Sequence, residues 1–256
     1  MKIFASFLFG IITVPFTLYF LSRDLLPPVE TFKSCIITKM HGIELCQNSK
    51  NYVQLKDISP HLQKTIILTE DSAFYQHHGF DWESIDRKFR EGWEAGIFKK
   101  GGSTISQQLA KNMFLGREKT FLRKLNEALI TDRLERTLSK KEILERYLNI
   151  VEFGKQIYGI KAAASFYFAK TPSELDVLES AFLALVLPNP IKYSKSFYKK
   201  ELTPFAKNRL HEIINNLYQY KMISSDDYLF ALERANTFFQ PTTAADEDID
   251  GTDPEE

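Results

Sequence analysis

Residues 99–112 read KKGGSTISQQLAKN, and the folding of this stretch organises the reading of everything around it. Gly101-Gly102 allows backbone angles and close approaches that other residues resist. Ser103 is placed to cap the next segment, and a helix beginning there would present free amides to an anion. At about 100° per residue, Thr104, Gln107, Gln108 and Lys111 share one face while Ile105 and Leu109 lie on another. A polar face of this kind suits pyrophosphate and sugar hydroxyls, although an ordinary capped amphipathic helix has the same pattern.

Upstream, residues 70–82 read EDSAFYQHHGFDW. Glu70 and Asp71 end an apolar helix, where a carboxylate shielded from bulk water can act as a general base. An exposed acidic pair at a helix end would look the same. His77 and His78 are adjacent, point apart and make a poor metal pair. Downstream, residues 119–135 read KTFLRKLNEALITDRLE, which spaces Lys119, Arg123 and Glu127 four apart on one helical stripe. Solvated ion pairs produce that stripe too.

The surrounding pattern is helical. Ser59-Pro60 reads as a cap and first helical residue, with Leu62 and Ile66 one turn apart and Ile67-Leu68 making the helix end apolar nearly all round. Ser139 with Glu142, and Thr171-Pro172 with Glu174, have the capping-box spacing, and the second run stops at Pro188-Asn189-Pro190. Few stretches outside residues 35–55 show strand-like alternation. The expected organisation is a transmembrane anchor over residues 1–23, a linker or small module over 24–55, a mainly α domain over 56–240 and an acidic disordered tail over 241–256.

The ends and the charge distribution place this domain. Ile3 to Leu21 is an uncharged apolar run between Lys2 and Arg23, and roughly 20 such residues span a bilayer core. It is longer than a cleavable signal peptide's usual apolar region of about 7–15 residues and has no small-residue exit, so an uncleaved anchor is expected. Everything after Arg23 would then lie outside the cytoplasmic membrane. There Cys35 and Cys46 could pair across a turn at Gly42 or remain as two thiols. The 33 acids balance 33 bases, but seven of the acids fall after residue 245, which leaves a body of formal charge +7. A modestly basic body suits nucleic acid, a membrane surface or a phosphorylated lipid. Hydrophobic content of 44% with 26% charged residues excludes a disordered chain and a polytopic membrane protein.

Taken in order, the three motif segments resemble, nearly residue for residue, those of the family-51 glycosyltransferases, the peptidoglycan-polymerising domains found alone or at the front of bifunctional penicillin-binding proteins. The resemblance continues through KKEILERYLNIVEFG, GIKAAASFYFAK and LALVLPNPIKY, covering about residues 56 to 195. It implies a mainly α, lysozyme-like fold with a mobile, membrane-associated jaw lobe. The helix carrying Trp82, Ile85, Phe89, Trp93 and Ile97, with Arg87, Lys88 and Arg90 among them, resembles that jaw; a plain core helix would share the spacing.

By the same resemblance Glu70 is the catalytic base and Glu127 the second essential glutamate. Lys111, Lys119 and Arg123 would surround the departing pyrophosphate, with Lys119 standing where relatives often carry Arg. Ser103, Thr104, Gln107, Gln108 and Asn112 would line the donor site, with Lys124 as an addition. The implied partners are lipid II, the growing lipid-linked glycan strand, the membrane and other cell-wall synthesis or division proteins, with no nucleic acid. No cofactor is obligatory on this reading, and a magnesium or manganese ion at the pyrophosphate would be held chiefly by phosphate oxygens, since the sequence offers no separate metal cage. The implied location is the cytoplasmic (inner) membrane, single-pass, with the catalytic domain on its outer side.

Two other classes fit parts of the pattern. A lytic enzyme could use the same fold with its glutamate as an acid, but cleavage involves no pyrophosphate and would not call for three bases. A non-catalytic envelope scaffold would not require both Glu70 and Glu127. An acylating domain is not expected after residue 240, and Ser196-Phe-Tyr-Lys199 lacks the motifs that accompany such a nucleophile.

Overall fold

A computed structural model describes residues 26–95 and 102–239; the apolar run before Arg23, Ile97 and the acidic tail lie outside these residues. The order of elements is β1 (Ile36–Ile37), β2 (Glu44–Leu45), α1 (Pro60–Glu70), α2 (Trp82–Ala95), α3 (Ile105–Phe114), α4 (Phe121–Thr137), α5 (Lys140–Ile150), β3 (Glu152–Gly154), β4 (Ile157–Tyr158), α6 (Ile160–Phe168), α7 (Val177–Val186), α8 (Pro190–Tyr193), α9 (Lys195–Lys199), α10 (Pro204–Gln219) and α11 (Ser225–Ala235). The mainly α architecture expected from the periodicity is what forms. The strands are two short antiparallel ladders, β1 with β2 and β3 with β4. The second ladder was not expected, because strands of two and three residues are too short to show alternation.

Every residue of α7, VLESAFLALV, is buried, and the helix packs against α1, α10 and α11. A helix apolar on all sides can be covered only from all sides, so its burial sets where its neighbours lie. Asp176 and Glu179 close a reciprocal cap at its start, and Lys170 pairs with the buried Glu179 at 2.7 Å. The predicted capping boxes at Ser139 with Glu142 and Thr171 with Glu174 are both formed. Pro60 is the first residue of α1, but the Ser59 hydroxyl donates to the Leu175 carbonyl at 2.6 Å and does not cap its own helix.

Residues 26–58 pack on the same core through Phe32, Leu45, Val53 and Ile58. Asn149 of α5 clamps the backbone of Val53, accepting from its N–H and donating to its C=O, each at 2.8 Å. Cys35 and Cys46 are disulfide-bonded across the β1–β2 hairpin. The hairpin turn caps the end of α3, because the Lys39 and Met40 amides donate to the carbonyls of Met113 (2.9 Å) and Asn112 (3.2 Å). These are among the carbonyls that a helix leaves without internal partners. No helix among the described residues is long and apolar enough to cross a membrane.

Candidate active site

The site is built where α1 ends. Helix α1 breaks at Asp71, whose carboxylate faces two ways: Oδ2 accepts the Ile105 amide at 3.0 Å and Oδ1 meets His77 Nε2 at 2.8 Å. Asp71 is thus a buried strut joining the α1 terminus to the first turn of α3. The residue beside it, Glu70, turns toward a cleft of about 180 Å³ walled by α1, by Arg87 and Lys88 of α2, and by Gly102 to Thr104. A larger depression of about 570 Å³ follows one polar face of α10, but it contains none of the motif residues. Chemistry is assigned to the smaller cleft because Glu70 lines it.

The start of α3 differs from expectation in one respect. The capping residue is Thr104, one position later than Ser103: its hydroxyl oxygen accepts the Gln107 amide at 3.1 Å, and the Gln107 carboxamide accepts the Thr104 amide at 3.0 Å. The Thr104 hydroxyl also donates to the Gly79 carbonyl at 2.7 Å. Gly79 has φ +84°, and a Cβ there would come within 2.9 Å of Thr131 on α4, so this close crossing needs glycine. Thr104 and Gln107 are therefore turned into the cap and buried, and Asn112 is also buried. Ser103 remains exposed at the cleft wall. Gly102, at φ +141°, lies under the Lys88 ammonium group, which is 3.3 Å from where its Cβ would stand.

Gln108 and Lys111 face the site. Gln108 Nε2 donates to Glu70 Oε2 at 2.9 Å, and Gln108 Oε1 accepts from the Tyr147 hydroxyl of α5 at 3.2 Å. Burial pushes the Glu70 carboxyl above its ordinary pKa; the Gln108 contact, Arg209 and Lys111 oppose that rise, and the Asp71 carboxylate adds to it. Lys111, one turn beyond Gln108, is lowered by burial, raised by Glu127 and lowered again by Arg123 and Lys124. The base's partner and the first cation are thus about 5 Å apart along one helix axis.

Around Lys111 gather the charges of α4. Glu127 is buried and pairs with Arg123 at 2.8 Å and with Lys124. Lys119 precedes the helix, which opens at its cap Thr120, so it stands exposed in the α3–α4 loop and not on the expected stripe. Two residues near Glu70 carry no signal in the sequence. Tyr147 sits within a buried helix pattern, and Arg209, ion-paired to Glu212 at 2.8 Å, arrives from α10, far along the chain. No local spacing announces either. Among the described residues, no group of three His, Cys, Asp or Glu side chains converges to hold a metal ion.

The fold is thus a mainly α domain in which a buried glutamate lies in a cleft within electrostatic reach of clustered cations. The chain matches the transglycosylase family over residues 37–218 and belongs to that family. It is similar to proteins named biosynthetic peptidoglycan transglycosylase from Methylobacillus flagellatus (46% identical over 144 residues, 56% of this chain and 63% of the relative) and Aromatoleum aromaticum (49% over 146 residues, 57% and 64%). It is likewise similar to the protein of that name from Haemophilus influenzae, at 42% identity over 186 residues, 73% of this chain and 71% of the relative. The chain thus spans less than two thirds of the length of the first two relatives.

Proposed function

We propose that this protein is a peptidoglycan glycosyltransferase, which polymerises lipid II into β-1,4-linked glycan strands and releases polyprenyl pyrophosphate. The observation that carries this reading is a desolvated carboxylate, Glu70, hydrogen-bonded to Gln108 and within electrostatic reach of Lys111, which Glu127, Arg123 and Lys124 surround. Glu70 takes the proton from the acceptor sugar's 4-hydroxyl. That oxygen attacks the anomeric carbon of the growing strand as the bond to pyrophosphate breaks, which inverts the linkage from α to β. Negative charge gathers on the leaving oxygen, and fixed cations aimed at it stabilise the transition state more than the ground state. Both carboxylate oxygens of Glu127 are engaged by Arg123 and Lys124, so a divalent ion at this site would be held by the phosphates themselves.

The exposed apolar row Trp82, Ile85, Phe89 and Trp93 on α2 supports a membrane-facing jaw, and Phe121, Leu122 and Leu125 at the start of α4 are exposed as well. In this reading residues 1–23 anchor the chain, the domain lies on the outer face of the cytoplasmic membrane, Ser103 meets substrate at the cleft wall, and Lys119, exposed in the α3–α4 loop, adds a cation for the substrate's phosphates. The test is purified protein incubated with lipid II, with products separated by length. Polymer is expected from the native protein, and Glu70→Gln should lower its rate by roughly 10²–10⁴-fold, as for loss of a general base. Near-normal polymerisation by that variant, or shortening of preformed strands in place of growth, would overturn the reading.

A further inference from the structure

Tyr147, Gln108 and Glu70, none of them adjacent in sequence, are joined by consecutive hydrogen bonds at the cleft. Tyr147 is fully buried on α5, and among the described residues its hydroxyl has one hydrogen-bond partner, the Gln108 carbonyl oxygen at 3.2 Å. Burial, with Glu70 and Asp71 nearby, pushes the phenol well above its ordinary value, so it keeps its proton and is available as a donor. The Gln108 carboxamide is nearly symmetric in shape but not in chemistry, because one side only accepts and the other only donates. Turned over, it would leave the Tyr147 hydrogen buried without an acceptor and aim a carbonyl at a carboxylate, and both arrangements are unfavourable. With the amide held as it is, its N–H side lies 2.9 Å from Glu70 Oε2 and 3.4 Å from the Ser103 carbonyl.

We infer that Tyr147 is a positioning residue for the base: its hydroxyl fixes the Gln108 carboxamide with the donor side toward Glu70, which holds that carboxylate ionised and oriented in the cleft. The inference rests on the reading of Glu70 as base and adds a residue that touches neither substrate nor reacting atom. Other charges reach Glu70 as well. Asp71 adjoins it, Lys111 lies on α3 and Arg209 on α10, while Asp81, Arg87 and Lys88 line the same cleft. None of these changes when the phenolic oxygen alone is removed, so Tyr147→Phe isolates the relay.

The Gln108 donor favours the ionised form of Glu70, so loss of its orientation moves the Glu70 titration to higher pH. In the pH profile of kcat/KM for polymerisation, the acidic limb of Tyr147→Phe should move up by about half a pH unit or more, with the rate recovering toward the native plateau at alkaline pH. A merely structural tyrosine would lower the melting temperature and scale the whole profile without moving its limb. That result would overturn the inference. Should Tyr147→Phe fail to fold, Gln108→Met breaks the same line at its centre. It should shift the limb the same way, and an unmoved limb there is equally fatal.

Titrating the Glu70 carboxyl directly, by ¹³C NMR of protein labelled at the glutamate carboxyl and assigned with Glu70→Gln, separates the relay from the proposed function. A native protein that makes no polymer, yet whose Glu70 titration rises in Tyr147→Phe, sinks the proposed function and leaves the relay standing. Active native protein with an unmoved Glu70 titration in the variant sinks the relay alone.

Discussion

Glu70 is held at a cost in stability, and removing its charge should show it. Burial raises its folded-state pKa above the unfolded one, so the stability it contributes is present below the unfolded value, about 4.3, and is lost as pH rises through the raised folded value. Glu70→Gln should therefore melt higher than the native protein at pH 8, and the difference should vanish near pH 4. A melt unchanged at pH 8 would show that the carboxylate is well solvated. Glu127 has the opposite character. Its buried carboxylate neutralises Arg123 and Lys124, which keep partial access to solvent, so Glu127→Gln should cost about 3 kcal/mol, the lower end for a broken buried pair. Calorimetry should find the melt roughly 6–12 °C lower, alongside loss of polymerisation. A variant melting like the native protein would leave the α4 charges as surface pairs. The motif spacing put Glu70, Lys111 and Glu127 in sequence order, but it could not say that Thr104 and Gln107 turn inward to cap while Gln108 turns to the base. That choice depends on Gly79 and Tyr147, which approach from other elements.

At the scale of elements, α3 is the part whose placement decides the site, and it is fixed at both ends. Its first turn is held by the Thr104 cap, the Gly79 carbonyl and Asp71; its last turn is held by the amides of the β1–β2 hairpin. The Cys35–Cys46 bond closes that hairpin over a separation of 11 residues, for which chain entropy gives about 3 kcal/mol. Reduction, or the double change Cys35→Ser with Cys46→Ser, should lower the melting temperature by several degrees. It should also slow polymerisation, because the carbonyls of Asn112 and Met113 lose their ordered donors directly beyond Lys111. Unchanged melting and rate on reduction would make the hairpin an ornament. The hairpin was legible as two apolar ends around Gly42, and its docking on α3 was not, since the partners lie more than seventy residues apart. Lys119 shows the converse limit: four-residue spacing places a residue on a stripe only if the helix already exists there, and α4 begins after Thr120.

Across the whole molecule, both tryptophans of the chain, Trp82 and Trp93, stand on the exposed face of α2. Their fluorescence therefore reports on that face alone. In vesicles of bilayer lipid carrying brominated acyl chains the emission should shift to shorter wavelength and be quenched, and water-like, unquenched emission would place the jaw away from the membrane. By itself the sequence determined the helical class, the caps of α5 and of the segment before α7, and the family, because these depend on periodicity and on side chains a few residues apart. The tertiary structure alone decided that residues 26–58 join the core and that Tyr147 and Arg209 come to stand around Glu70. Those outcomes are set by burial of α7 on every side and by the crossing of α3 with α4 and α5, and such packing joins residues whose separation along the chain carries no local signal.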